Sequence, residues 1–134
     1  MNKHVLLVED EFTTQMLLKR MVGAIDPEAR VDCVQTAEVA YRVLDDAGVN
    51  RPGYDLVICD LKLPGSDGLV LWNLCSKKHP ELEFLFVSGV SFEDWQRRLK
   101  NHPEWPALMR KPINEVQLRR YWLDHFNSYG QAGA

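Results

Sequence analysis

No apolar run in this 134-residue chain approaches the roughly 20 residues needed to cross a bilayer. The N-terminal MNKH passes directly into a five-residue apolar stretch without a signal-peptide pattern. These two absences argue against a membrane span and a secretory route, and the chain is expected in the cytoplasm. Cysteine is scarce. Cys33, Cys59 and Cys75 form no CxxC pair and cannot all be bridged, which fits a reducing compartment where each serves as a small buried hydrophobe. His4, His79, His102 and His125 show no HxxxH spacing, so a zinc site has no support. Basic residues form no stripe beyond the pairs Lys19-Arg20, Arg97-Arg98 and Arg119-Arg120. With 16 Lys and Arg against 19 Asp and Glu, the formal charge is −3, and direct nucleic-acid binding is not expected. Internal repeats, low-complexity segments and linkers are also missing.

What remains is an ordinary globular composition, 46% hydrophobic and 26% charged. That length supports one domain with a real core but not two. The domain is expected over 1–126, and the tail 127–134, poor in apolar residues, is expected to fray.

Apolar runs bounded by turn residues alternate with stretches of 3.6-residue periodicity, and the strand-helix order repeats five times. Strand one is His4 to Val8, and helix one is Thr13 to Ala24 with an apolar stripe of Leu17, Leu18, Met21 and Val22. Strand two is Arg30 to Val34. Thr36 caps helix two, which runs to about Ala47 with Val39, Val43 and Leu44 inward, before the turn-rich stretch 48–53. Strand three is Tyr54 to Cys59. Ser66 and Asp67 precede helix three, which carries Leu69, Leu71, Trp72 and Cys75 and is stopped by His79-Pro80. Strand four is Glu83 to Val87. Ser91 caps a shorter helix four, Phe92 to about Lys100; HPEWP then leads to a brief strand five, Ala107 to Met109, and helix five, Asn114 to about Phe126. Strands alternating with helices of this length imply parallel βαβ crossovers, hence a three-layer α/β domain with helices on both faces of the sheet.

In an open parallel sheet, functional groups collect beyond the carboxyl ends of the strands. Those ends carry Glu9 and Asp10 after strand one, Asp60 after strand three, Ser88 after strand four and Lys111 after strand five. Asp10 and Asp60 become neighbours if strands one and three pair. Three carboxylates at close range repel one another unless a cation lies between them, and hard oxygen donors in a partly hydrated site favour Mg2+. An aspartate so placed can attack phosphorus and form an acyl phosphate when a metal and a cationic side chain neutralise the phosphoryl oxygens. Asp60 suits that role, with Lys111 as the compact positive charge, Ser88 as a hydroxyl donor, and Gly89 leaving room for the group to enter. No histidine is placed to activate water, so the expected product is a phosphoprotein.

The segments VLLVEDE, DLVICDLKLPGSDG, FLFVSG and LMRKP resemble, in order, the successive motifs of a response-regulator receiver domain. The match spans residues 4 to about 126, and four separated motifs in order are far more specific than a lone DxxxPG. The resemblance implies a flavodoxin-like (βα)5 fold with a five-stranded parallel sheet in the order 2-1-3-4-5. It also implies that Asp60 is the phosphoacceptor, that Asp10 binds Mg2+ directly and Glu9 through water, and that Lys62 offers its backbone carbonyl to the metal. Ser88 is similar to the family's switch hydroxyl, and Lys111 to the lysine before a cis proline, here Pro112. The implied donor is a histidine kinase or a histidine phosphotransfer protein. If the chain is complete, no output domain follows helix five, and the output is expected to pass to a downstream protein partner, a homodimer or an onward phosphate acceptor. The starting Met suits a stand-alone receiver; a fragment of a longer regulator or hybrid kinase is the alternative.

Leu108 departs from the family pattern, because receivers usually carry Tyr or Phe three residues before this lysine. A leucine has no polar tip to exchange between outward and inward rotamers, so the aromatic swing of the usual relay from Ser88 to the face of helix four, strand five and helix five is unavailable here. GVNRPG and NHPEWP are long for the family and are candidate partner surfaces. Lys62 suits either a solvated surface position or a charge that tunes dephosphorylation. Trp95, Trp105 and Trp122 suit either a core or an interaction patch, and Glu93 and Asp94 read as helix-spaced partners of Arg97 and Arg98. Two other functions are weaker. An aspartyl-nucleophile phosphatase usually has a second Asp where Lys62 stands, and a flavin module needs a phosphate-cradling loop where Glu9, Asp10 and Glu11 would repel the phosphate.

Overall fold

A computed structural model describes residues 2–50 and 53–127. The elements run β1 (His4–Val8), α1 (Phe12–Ile25), β2 (Arg30–Val34), α2 (Ala37–Asn50), β3 (Leu56–Asp60), the two-residue strands β4 (Lys62–Leu63) and β5 (Ser66–Asp67), α3 (Gly68–Lys78), β6 (Glu83–Ser88), α4 (Phe92–Arg98), β7 (Ala107–Arg110) and α5 (Glu115–Trp122). A π-helical turn, Leu123–Asn127, follows α5 in place of the regular helix expected to about Phe126. The main sheet is parallel throughout, ordered β2-β1-β3-β6-β7. This is the expected 2-1-3-4-5 order once the short β4-β5 hairpin is set aside.

The strands divide their side chains by strict alternation, because successive Cβ atoms point to opposite faces. Leu6, Val8, Val57, Cys59, Phe84 and Phe86 meet Ala40, Leu44, Leu71, Cys75, Trp95 and Leu99 from α2, α3 and the α4 region. Val5, Leu7, Leu56, Ile58, Leu85, Val87 and Met109 meet Leu18, Met21, Val22, Leu118, Tyr121 and Trp122 from α1 and α5. Two cores therefore sandwich one sheet, and each fully buried Leu or Phe side chain contributes on the order of 1.5–3 kcal/mol. With β1, β3 and β6 held this firmly, the side chains just past their carboxyl ends start from a fixed frame.

Helix starts follow local chemistry. Thr36 Oγ1 accepts the Val39 N–H at 3.1 Å, Asp67 Oδ1 the Leu69 N–H at 2.8 Å, Ser91 Oγ the Asp94 N–H at 3.1 Å, and Asn114 Oδ1 the Val116 N–H at 2.8 Å.

Several expectations need correction. Leu17 is largely exposed, and only Leu18, Met21 and Val22 carry the buried stripe of α1. α2 continues to Asn50, three residues past the expected end, so Gly48 lies in a helix and not in a turn; Arg51 and Pro52 are outside the described residues. The segment beyond 127, where a frayed tail is expected, is also outside them. Trp95 and Trp122 are core residues and Trp105 alone of the three is exposed, so they form no common patch. Arg97 pairs with Asp94 as expected, but Arg98 reaches out of α4 to Asp67. The β4-β5 hairpin was not expected. It turns at Gly65, whose φ of 76° lies in the left-handed region that glycine enters without steric cost.

Candidate functional site

The carboxyl ends of β1 and β3 adjoin because these strands pair in register, Val8 opposite Cys59. Glu9 and Asp10 follow the last residue of β1, and Asp60 is the last residue of β3. Their carboxylates offer one oxygen each within 4.8 Å of one another. Glu9 is buried, Asp60 partly buried and Asp10 exposed, so the cluster opens to solvent on the Asp10 side. An all-oxygen, multiply anionic donor set fits a hard divalent cation such as Mg2+.

Lys111 enters from beyond β7. Its Nζ is 3.4 Å from Asp60 Oδ2 and 3.6 Å from Glu9 Oε1, so one ammonium bridges the two less exposed acids. The Lys111 backbone N–H donates to the Ser88 carbonyl at 2.8 Å, which holds the lysine's main chain against the end of β6. The Lys111–Pro112 peptide bond is cis. Burial alone would lower the Lys111 pKa, but the charges of Asp60 and Glu9 outweigh it and raise the pKa above its ordinary value. The ammonium therefore stays charged at neutral pH. Burial raises the Glu9 carboxyl pKa; the Glu11 N–H that donates to Oε2 at 3.0 Å opposes this, the Asp60 charge reinforces it, and the net shift is upward. Two acids crowded in one place thus favour a cation between them.

Asp60 Oδ1 accepts the Lys62 N–H at 3.3 Å, so the first residue of the hairpin touches the acid. The Lys62 side chain is exposed. Ser88, the last residue of β6, is buried, and its hydroxyl accepts the Val90 N–H at 3.2 Å. A Cβ on Gly89 would meet nothing within 4 Å, so the space beside Ser88 is open. Leu108 pairs with Phe86 across β6-β7 and packs, partly buried, against the core of α2, α3 and α4. Cys59 lies on the sheet face opposite Asp60 and is fully buried, which raises its thiol pKa well above the ordinary range. It is a packing residue, not a nucleophile.

Two contacts were not foreseen. Gln15 Nε2 donates to the Glu9 carbonyl at 2.6 Å and braces the acidic turn from α1. Arg98 meets Asp67 in the hairpin. Neither has a sequence signal, since helix periodicity says nothing about which polar residue crosses to another element.

The model of the family described as response regulator receiver domain matches residues 5–121. Among curated proteins, the chain is 31% identical over 114 residues to the sensor kinase CckA of Brucella abortus, a match covering 85% of this chain and 11% of that protein. It is also 31% identical over 118 residues to a two-component response regulator of Oryza sativa subsp. indica, covering 88% of this chain and 16% of that protein. The chain thus spans less than a fifth of either relative. Among solved structures, a CheY-like response regulator receiver domain protein from Methanospirillum hungatei superposes with a TM-score of 0.78 at 20% identity, covering 98% of this chain and 99% of that one. The receiver domain of a sensor histidine kinase from Pseudomonas aeruginosa, described with a magnesium ion coordinated in its active site cleft, gives 0.75 at 20% identity, covering 93% and 98%. Among the described residues no helix is long and apolar enough to cross a membrane.

Proposed function

The chain belongs to the response-regulator receiver family, and from that premise we propose that it accepts a phosphoryl group on Asp60 from a phosphohistidine donor. The modified domain then changes its affinity for a downstream protein or passes the phosphate onward. The observation that carries the reading is the single ammonium of Lys111 held between Asp60 and Glu9, within a cluster of three carboxylates.

In the transfer, one Asp60 oxygen forms a bond to phosphorus as the N–P bond of the donor imidazole breaks and its electron pair returns to the ring nitrogen. Lys111 is placed to neutralise the phosphoryl oxygens as their charge approaches Asp60, and the Ser88 hydroxyl, whose oxygen accepts the Val90 N–H, would donate its own proton to them. The Lys62 N–H orients the acid through Oδ1. Glu9, Asp10 and Asp60, with the Lys62 backbone carbonyl, would hold Mg2+, which when bound supplies further neutralisation at the same oxygens. The chain would act as substrate and slow self-hydrolase, with no turnover of other phosphate esters. The donor would be a histidine kinase or a histidine phosphotransfer protein in the cytoplasm.

The test is labelling by a small phosphodonor with Mg2+, read by intact mass. One added phosphoryl group on the wild type and none on Asp60→Asn is the expected result; equal labelling of both proteins would refute the assignment.

A further inference from the structure

Arg98 ends α4, and its guanidinium pairs with Asp67 Oδ2, a residue of the hairpin that follows Asp60. Asp67 is fixed by two further contacts of its own and one of its neighbour. Its Oδ1 accepts the Leu69 N–H at 2.8 Å and caps α3. Its backbone opposes Lys62 in the two-residue antiparallel ladder, and Lys62 in turn donates its N–H to Asp60 Oδ1. The next residue, Gly68, donates its N–H to the Leu61 carbonyl at 2.7 Å. A continuous arm of short contacts therefore runs from Asp60 through Lys62 and Asp67 to Arg98. α4 is held separately at its start, where Ser88 Oγ accepts the Val90 N–H and Ser91 Oγ caps the first turn. Between these two ends Trp95 is buried on Phe86, ring centroids 5.7 Å apart.

We propose that Arg98 is a positioning residue for this site: acting through Asp67, it steadies the hairpin that holds Lys62 against Asp60, and the same contact carries the modification of Asp60 to α4. This inference rests on the phosphoacceptor reading above. A phosphoryl group on Asp60 adds charge and bulk to the carboxyl whose other contact is the Lys62 N–H, so the load on that contact changes, and Asp67 moves with the hairpin. Arg98 then follows or lets go, and either response alters a seven-residue helix too short to hold its shape without tertiary anchors. The route bypasses residue 108, where leucine lacks a polar tip. Coupling of this kind is reciprocal, so Arg98 also bears on how readily the site takes its ligands. Both partners are about one-third exposed, 34% and 37%, which limits the effect to a few-fold.

The test is amide hydrogen exchange over residues 92–98 in the wild type, Arg98→Ala and Arg98→Lys, with and without Mg2+ plus beryllium fluoride as a phosphoryl mimic. Labelling by acetyl phosphate is followed by intact mass in parallel. The wild type should change its exchange at α4 on adding the mimic, Arg98→Ala should shrink that change about three- to fivefold, and Arg98→Lys, which keeps the charge, should restore most of it. Three results overturn the proposal: no response at α4 in the wild type, an undiminished response in Arg98→Ala, or a lysine variant as defective as the alanine. Failure of the wild type to label sinks the phosphoacceptor reading itself, whereas normal labelling of all three proteins with an unaltered α4 response sinks the coupling alone.

Discussion

A Cβ placed on Gly68 would stand 2.5 Å from the carbonyl oxygen of Asp60 and 2.9 Å from Cε1 of Phe86. The hairpin after Asp60 folds back so tightly that its return strand and the start of α3 press on the backbone of Asp60 itself, and only glycine fits there.

Gly68→Ala should therefore cost about 1–3 kcal/mol, read as a lower urea midpoint, and should slow labelling by a small phosphodonor because the displaced atom belongs to Asp60. Gly89→Ala is the control: its new methyl meets nothing within 4 Å, and stability should stay within about 0.5 kcal/mol of the wild type. A Gly68→Ala protein as stable as the control would contradict the close packing of Gly68 on Asp60 and Phe86.

Mg2+ should stabilise the folded chain, since Glu9, Asp10 and Asp60 repel one another and unfolding disperses them. At a tenfold excess over Kd the gain is about 1.4 kcal/mol, visible as a rise in Tm relative to the chain in EDTA. Asp10→Asn should shrink that rise while leaving the Tm in EDTA unchanged or higher. An identical Tm with and without Mg2+ would dispose of the metal site.

A pH effect is expected far from the site. Burial pushes the Asp32 carboxyl upward, but the Tyr54 hydroxyl and His4 Nε2, both 2.7 Å from Oδ2, prevail together with the charges of His4 and Arg30, and its pKa falls below the ordinary 3.8. A depressed carboxylate pKa contributes stability that is present above the unfolded value and lost as pH falls through the folded one. Asp32→Asn should thus be less stable than the wild type at neutral pH, with the gap closing below about pH 3.8. Denaturant midpoints from pH 7 to pH 3 measure it, and a gap that widens on acidification reverses the sign claimed.

Leu108→Tyr should leave the proposed chemistry at Asp60 alone. Leu108 lies on β7 opposite Phe86, and its side chain packs against the core of α2, α3 and α4 and supplies no charged or polar group to the site. Labelling rates within about twofold of the wild type are expected, because the substitution leaves the Lys111 ammonium and its partners Asp60 and Glu9 in place. A tenfold change would tie residue 108 to the chemistry itself.

The alternation of strands and helices was legible because each strand shows a short apolar run and each helix a periodic face, and the caps Thr36, Asp67 and Ser91 stand where local hydrogen bonding requires them. Local pattern misled where burial depends on neighbours. Leu17 fits an apolar stripe by spacing, yet α1 turns it outward. Trp95 and Trp122 could have lain on the surface by composition, yet each fills a different face of the sheet. The strand order came from resemblance to a family, since periodicity says which side of a strand is covered and not which strand lies beside it.

The sequence by itself determined which residues stand at the strand ends: Glu9, Asp10, Asp60, Ser88 and Lys111, set there by apolar runs that stop just before or upon them. Only the tertiary structure decided that the Lys111 ammonium lies between Asp60 and Glu9, that Glu9 is buried and Asp10 exposed, and that Arg98 turns from its own helix to Asp67. The reason is range. Helix caps and apolar periodicity act within about four residues along the chain, whereas an ion pair between elements depends on how packed helices and a twisted sheet bring distant charges to within a few ångströms.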